Sequence, residues 1–405
     1  MIYRNEFLER LFKYKDKPLI KVITGIRRCG KSVILKLLQA ELVRQGVAEE
    51  RIIYLDFESF QWSALKRAGS FYEYISNRIS RENRCYLLFD EIQEVAGWER
   101  AINSFSVDFN VDIYITGSNS HILSSELATF LSGRYVELNL FTLSFSEHLL
   151  FRESLTGKSI EDLHGAFTEY LRTGGFPVLH MASCDQETAM KIVYDIYSSV
   201  ILRDVVQRYK IRDVELLERV VRFVFDNVGN KFSAGNVVDY FKSQYRKIDI
   251  NTVYNYLNAL EGAFIVHRIP RYDIKGKEIL KTNEKYFVGD HGLVYAVMGY
   301  RDRFISGILE NIVMSELLRR GYRVFTGKSN EREIDFIAEK NERKVYVQVA
   351  YKISEPATFE REFSVLLEIR DHHPKYVVTM DEVWRDNVDG VKHLHIADFL
   401  LLAEF

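Results

Sequence analysis

Residues 25–32 read Gly-Ile-Arg-Arg-Cys-Gly-Lys-Ser, the full spacing of a phosphate-binding loop. In such a loop, backbone N–H groups and a helix N-terminus surround a β-phosphate. Gly25 and Gly30 allow backbone angles that a side chain would forbid. Lys31 is expected against the β- and γ-phosphates, and Ser32 is expected on Mg2+. Ile26, Arg27, Arg28, Cys29 and Val33 complete the expected contact set, and the two arginines could instead meet a domain partner or only solvent. Downstream, Asp90-Glu91 closes the apolar run Cys85-Tyr86-Leu87-Leu88-Phe89. Asp90 is expected to hold Mg2+ through water, and Glu91 to orient and deprotonate an attacking water. Asn119, with Ser118 as the alternative, could touch the γ-phosphate or that water, or could simply cap a helix before His121. Arg134 could reach the γ-phosphate in its own subunit, serve a neighbouring one as a finger, or form a surface ion pair.

These residues need a parallel sheet to bring them together. Leu19–Thr24 reads as a buried strand and Val33–Leu42 as the helix after the loop. Arg51–Phe57, Cys85–Glu91 and Val111–Thr116 read as further strands, with helix near 70–80, and Arg134 leads another strand to Leu138. Paired carboxylates at the end of a parallel strand would then lie beside the loop. The chain has 405 residues, 47% hydrophobic and 28% charged, with a net charge of -2, which suits two or three ordinary domains. That charge gives no global pull toward nucleic acid, so such contact must come from a local patch. Cys29, Cys85 and Cys184 fit neither a metal spacing nor a disulfide framework, so a reducing, cytoplasmic setting is expected. No signal peptide and no apolar run long enough to span a membrane is apparent, and no membrane partner is expected.

The loop, Leu87-Leu88-Phe89-Asp90-Glu91-Ile92-Gln93, Ile115-Thr116-Gly117-Ser118-Asn119-Ser120 and Leu131-Ser132-Gly133-Arg134-Tyr135 together resemble AAA-like ATPases of archaea and bacteria with a C-terminal endonuclease-like domain. Leu171–Pro177 and Tyr286–Leu293 extend the resemblance over nearly the whole chain. It implies ATP rather than GTP, a STAND-related AAA branch, a winged-helix middle and a degenerate or active nuclease-like end. The absence of an [NT]-K-x-D sequence agrees with ATP.

The expected fold is therefore α/β: a parallel P-loop core over 1–150, a helical lid or linker over 151–212, a winged helix over 213–298 and an α/β endonuclease-like domain over 299–405. In the middle, Val214–Val228, Ala234–Phe241 capped by Ser233, and Ile250–Leu260 capped by Asp249 read as helices before a hairpin. Asn251, Thr252 and Asn255 would be free to read bases of double-stranded DNA. Arg268, Arg271, Lys275, Lys277 and Lys281 would give the wing a positive face. The acidic residues interleaved with them leave a protein-docking role equally open.

At the end of the chain, Glu310 and Asp335 match the first two carboxylates of an endonuclease-like site. The third strand should supply Glu-x-Lys but reads Gln348-Val349-Ala350. Lys352 shares the alternation of Ala350 and could substitute if the strand runs that far. Nuclease chemistry is therefore expected to be lost. Hydrolysis of ATP would drive a switch on DNA or on a protein partner, with an ATP-regulated nuclease as the third reading. A finger from Arg134 would require a homo-oligomer.

Overall fold

In a computed structural model the described residues are 2–405, apart from 81, 121–132, 182–184, 275, 277, 330, 331, 354, 384 and 385, and the side chains of 280–283 and 329. The chain forms two compact units, Met1–Phe141 with Gly262–Phe264, and Thr142–Glu261 with Ile265–Phe405. No described helix is long and apolar enough to cross a membrane.

The first unit is built on a five-stranded sheet in the order β2-β3-β4-β1-β5, where β1 is Ile20–Thr24, β2 Ile52–Asp56, β3 Cys85–Asp90, β4 Val111–Gly117 and β5 Tyr135–Asn139. All its pairings are parallel. Parallel strands need crossovers, and the helices Lys31–Arg44, Ala68–Ser76 and Trp98–Asp108 supply them. Every residue of β1 and β3 is buried, as expected of a sheet covered on both faces. Phe71 anchors one layer, with edge-on rings 5.3 Å from Phe57, 4.9 Å from Phe89 and 5.4 Å from Phe105. Lys21 and Asp112 pair within this sheet, both fully buried, and the Asp112 carboxylate also accepts from the Tyr114 hydroxyl at 2.9 Å.

The second unit holds an eight-stranded mixed sheet in the order β12-β13-β11-β10-β9-β8-β6-β7. Its strands are β6 Val266–Asp273, β7 Glu278–Val288, β8 Arg323–Ser329, β9 Arg332–Lys340, β10 Arg343–Val349, β11 Lys375–Thr379, β12 Asn387–Val388 and β13 Val391–His395. The helices Val214–Asp226, Ala234–Ser243 and Ile250–Gly262 precede the β6–β7 hairpin. Ser233 caps the second helix through the Asn236 amide, and Asp249 accepts from the Asn251 amide at 2.8 Å.

The hairpin is not the free wing expected from the sequence. Its strand β6 pairs with β7 on one side and runs parallel to β8 on the other, through Arg271↔Thr326 and Asp273↔Lys328. The sheet runs on across residue 298, so β6 and β7 lie in one sheet with β8 to β13. Arg271 is buried, and Arg268 lies 3.6 Å from Glu261. Lys275 and Lys277, with the side chain of Lys281, lie outside the described residues. Among the described residues, then, the hairpin offers no open positive face.

Two glycine-bearing segments far apart in sequence meet in this unit. Asp290 accepts from the Gly175 amide at 2.8 Å and from the Gly292 amide at 2.9 Å, while His291 Nε2 lies 2.8 Å from the Tyr170 carbonyl. A Cβ on Gly174 would sit 2.3 Å from the Asp290 carboxylate, and one on Gly292 would sit 2.6 Å from the Thr173 carbonyl. Close backbone approach requires glycine at both places.

Candidate functional sites

The phosphate loop leaves β1 and turns into the helix Lys31–Arg44. A Cβ on Gly25 would lie 2.2 Å from the Leu140 carbonyl, and Gly30 adopts φ 107°. Arg28 takes φ 70° without being glycine, a costly conformation of the kind that collects at functional loops. The Lys31 ammonium is buried inside the turn and donates to the Gly25 carbonyl at 3.0 Å and the Ile26 carbonyl at 3.3 Å. It also lies 3.6 Å from Glu91. Arg27 leans away to Glu58 at 2.7 Å, Arg28 and Val33 are exposed, and Ile26 is buried. Cys29 is buried, and that burial pushes its thiol above the ordinary value, so it is no reactive thiolate.

Asp90 and Glu91 lie at the carboxyl end of β3, one strand away from β1 across β4. Burial raises the Asp90 carboxyl, with Glu91 and Asp56 adding to the rise; hydrogen bonds from Ser32 and Thr116 oppose it. A buried carboxylate lacking full counter-charge, bonded to the Ser32 hydroxyl, is the donor set that suits a hard divalent cation. Glu91 follows in the left-handed region, φ 50° and ψ 50°, with its amide donating to the Thr116 hydroxyl at 2.9 Å. Burial alone would raise its carboxyl. Lys31, the Gln93 amide, Arg27 and Ser118 together outweigh burial and hold it below the ordinary carboxylate range.

Ser118 and Asn119 are both fully buried at the end of β4, and it is Ser118 that bonds to Glu91. Arg134 stands elsewhere. Its carbonyl accepts from the Ile20 amide, at the start of β1, and its side chain is exposed. The loop begins only after Thr24, which is paired with Asn139 at the far end of β5. Five residues of strand separate the two levels by about 16 Å. Arg134 therefore does not reach a phosphate in its own subunit, because it precedes β5 instead of following it.

Sequence reasoning missed Arg4, Thr116 and Tyr54. The Arg4 guanidinium, buried, donates to the Cys29 carbonyl at 3.1 Å, and the Tyr54 hydroxyl reaches Asp90 at 3.4 Å. Thr116 lies on the strand flanking β3, so its position follows from strand order alone. Arg4 carries no local signal at all.

A second constellation lies wholly within the second unit, in a cavity of about 1110 Å3. Glu310 projects from the helix Ile305–Arg319, Glu333 and Asp335 from β9, and Gln348 from β10. The sequence placed Glu310, Asp335 and Gln348 together, and all three line this cavity. At their centre is Lys285 of β7, which the sequence did not single out. Its ammonium lies 2.9 Å from Glu310, 2.8 Å from Glu333 and 3.3 Å from Asp335. Burial raises the Glu310 carboxyl to about 8, with Asp335 adding to the rise and Lys285 opposing it.

The Gln348 carbonyl accepts from the Asp335 amide at 3.2 Å, and its NH2 donates to Glu362 at 2.7 Å. The second Asp335 oxygen accepts from the Val349 amide at 2.9 Å. Strand β10 ends at Val349, so the alternation expected to place Lys352 beside Ala350 does not extend that far. Lys352 is exposed at the cavity wall and Ala350 is buried among apolar side chains.

Comparison with known proteins gives these two units their relatives. A family model described as an AAA domain matches residues 17–149, and one described as a domain of unknown function (DUF8612) matches residues 164–303. An uncharacterized protein of Haemophilus influenzae is 40% identical over 402 residues, covering 99% of each chain. The uncharacterized protein MJ1544 of Methanocaldococcus jannaschii is 28% identical over 396 residues, 93% of this chain and 86% of that one. Among solved structures, a Walker-type ATPase of Pyrococcus abyssi matches with a TM-score of 0.51 at 15% identity, covering 73% of this chain and 96% of that one; this is a likeness of fold. With a P-loop turn, a parallel sheet and an end-to-end match of this kind, the chain belongs to the same family as the Haemophilus influenzae protein, and its residues 17–149 form an AAA domain.

Proposed function

We propose that the chain binds Mg-ATP at residues 25–33 and hydrolyses it, using Glu91 as the base. One observation carries the reading: Lys31, Ser32, Asp90 and Glu91 converge at the carboxyl ends of β1 and β3, with the Lys31 ammonium 3.6 Å from Glu91. Ser32 and Asp90 would hold Mg2+, which when bound neutralises charge on the phosphate oxygens. Glu91, kept ionised by Lys31 and Ser118, takes the proton of the attacking water. Lys31 exchanges its carbonyl contacts for phosphate oxygens, and Ser118 steadies the base, with Asn119 beside it. The choice of ATP and the STAND-related placement rest on the sequence resemblance.

Residues 299–405 are read as an endonuclease-like frame without its chemistry. The helix Ile305–Arg319, the antiparallel run β8-β9-β10, the helix Pro356–Leu367 and the parallel β11 support that reading. No target is assigned. Asn251 and Asn255 are exposed on the helix Ile250–Gly262, but the described cations expected beside them are paired or buried.

Nucleotide binding and phosphate release on the full chain test the proposal. Lys31→Ala should weaken binding by about tenfold or more, and Glu91→Gln should keep binding while lowering turnover by about a hundredfold. Unchanged ATP binding by Lys31→Ala would overturn the site, and wild-type turnover by Glu91→Gln would overturn the base.

A further inference from the structure

We infer that Lys285 is the resident cation of the carboxylate cluster in the second unit, standing where an endonuclease-like frame would place a divalent metal. Its three ammonium protons match three acceptors, one each on Glu310, Glu333 and Asp335. The side chain is 3% exposed, so this charge is enclosed and not a mobile counter-ion.

The rest of the cluster is closed around it. Asp335 spends one oxygen on Lys285 and the other on the Val349 amide. Gln348 turns its carbonyl to the Asp335 amide and its NH2 to Glu362. Lys231 adds a second positive charge, 2.9 Å from Glu333. A divalent ion would have to displace a buried ammonium and also free oxygens that are already bonded. Mg2+ demands near-ideal octahedral oxygen geometry, and this site does not present it. The residues therefore do not fit a metal.

Lys285 reaches the cluster because β7 belongs to the hairpin that β6 joins to β8. The cation comes from one segment and the carboxylates from another helix and strand. The cluster is thus an electrostatic joint between the hairpin and the rest of the sheet. Where β10 offers no Glu-x-Lys, a lysine supplied from β7 stands among the acids instead. This inference rests on the endonuclease-like reading of residues 299–405 and is independent of the ATP site.

The test is Mn2+ binding by the full-length protein at neutral pH without nucleotide, followed by electron paramagnetic resonance of the free ion. Wild type and Asp335→Asn should bind the same number of Mn2+ ions. Lys285→Met should bind one more ion per chain than wild type, and Lys285→Met/Asp335→Asn should lose it again. Mn2+ at about 1 mM should raise the Tm of Lys285→Met by about 5 °C and leave wild type unmoved. An Asp335-dependent Mn2+ site already present in wild type would overturn the inference. So would a folded Lys285→Met protein that gains no ion. If Lys285→Met does not fold, the comparison of wild type with Asp335→Asn decides alone: equal binding supports the joint, and lower binding by Asp335→Asn overturns it.

Discussion

The charge state of each buried titratable side chain in this protein is set by burial against the charges that face it. Glu91 stays ionised against burial because Lys31 and Ser118 face it, whereas Glu310 yields to burial and is raised to about 8. The difference lies in the neighbouring charges: Lys31 and Arg27 both lower Glu91, whereas Asp335 and Glu333 raise Glu310 against Lys285 alone. His148 shows the same competition with no compensating partner. It is 1% exposed, neither of its ring nitrogens has a hydrogen-bond partner among the described residues, and its ring meets His180 edge-on at 4.7 Å. Burial, with His180, Arg152 and His291 adding to it, lowers His148 to about 3; burial and Arg152 lower His180 to about 4. Both folded-state values lie below the unfolded value of about 6.5. The unfolded chain thus binds more protons as pH falls from that value, and the stability present above it is lost on the way down. At about pH 5 the cost is about 2 kcal/mol per histidine. Urea unfolding near pH 7.5 and pH 5 should show that drop, and His148→Phe should shrink it by about one histidine's share.

At the scale of elements, the informative joints are those between segments distant in sequence. The turn at Gly174-Gly175 and the segment Gly289–Gly292, which extend the family resemblance in the sequence, form a packing joint around Asp290. Asp290→Ala strips two backbone amides of their acceptor and should cost about 2–4 kcal/mol in urea unfolding. Asp290→Asn, which keeps one acceptor oxygen, should cost about half as much. Unchanged stability in the alanine variant would mean that the glycines, not the carboxylate, hold the joint. The helices and their caps were legible because capping is local: Ser233 and Asp249 each bond an amide within three residues. The sheet that β6 and β7 join was not legible, since edge pairing between β6 and β8 leaves no mark in either strand's own alternation.

For the molecule as a whole, the position of Arg134 bears on assembly. Preceding β5, it lies about a strand's length from the phosphate loop of its own chain. Arg134→Ala should therefore leave the ATP affinity of dilute protein within about twofold of wild type. A larger loss there would contradict the strand order. Restored turnover on mixing Arg134→Ala with Lys31→Ala would place the guanidinium in a neighbour's site. The sequence by itself determined the phosphate loop, the carboxylates after β3 and most strand positions, because glycine spacing and apolar runs are written in consecutive residues. Only the tertiary structure decided that Ser118 backs Glu91, that Arg4 braces the loop, that Arg134 lies at the opposite end of β1 from the loop and that Lys285 sits among Glu310, Glu333 and Asp335. Those relations depend on which strands become neighbours and in what register, and that choice is made by packing whole faces together, not by any local run of residues.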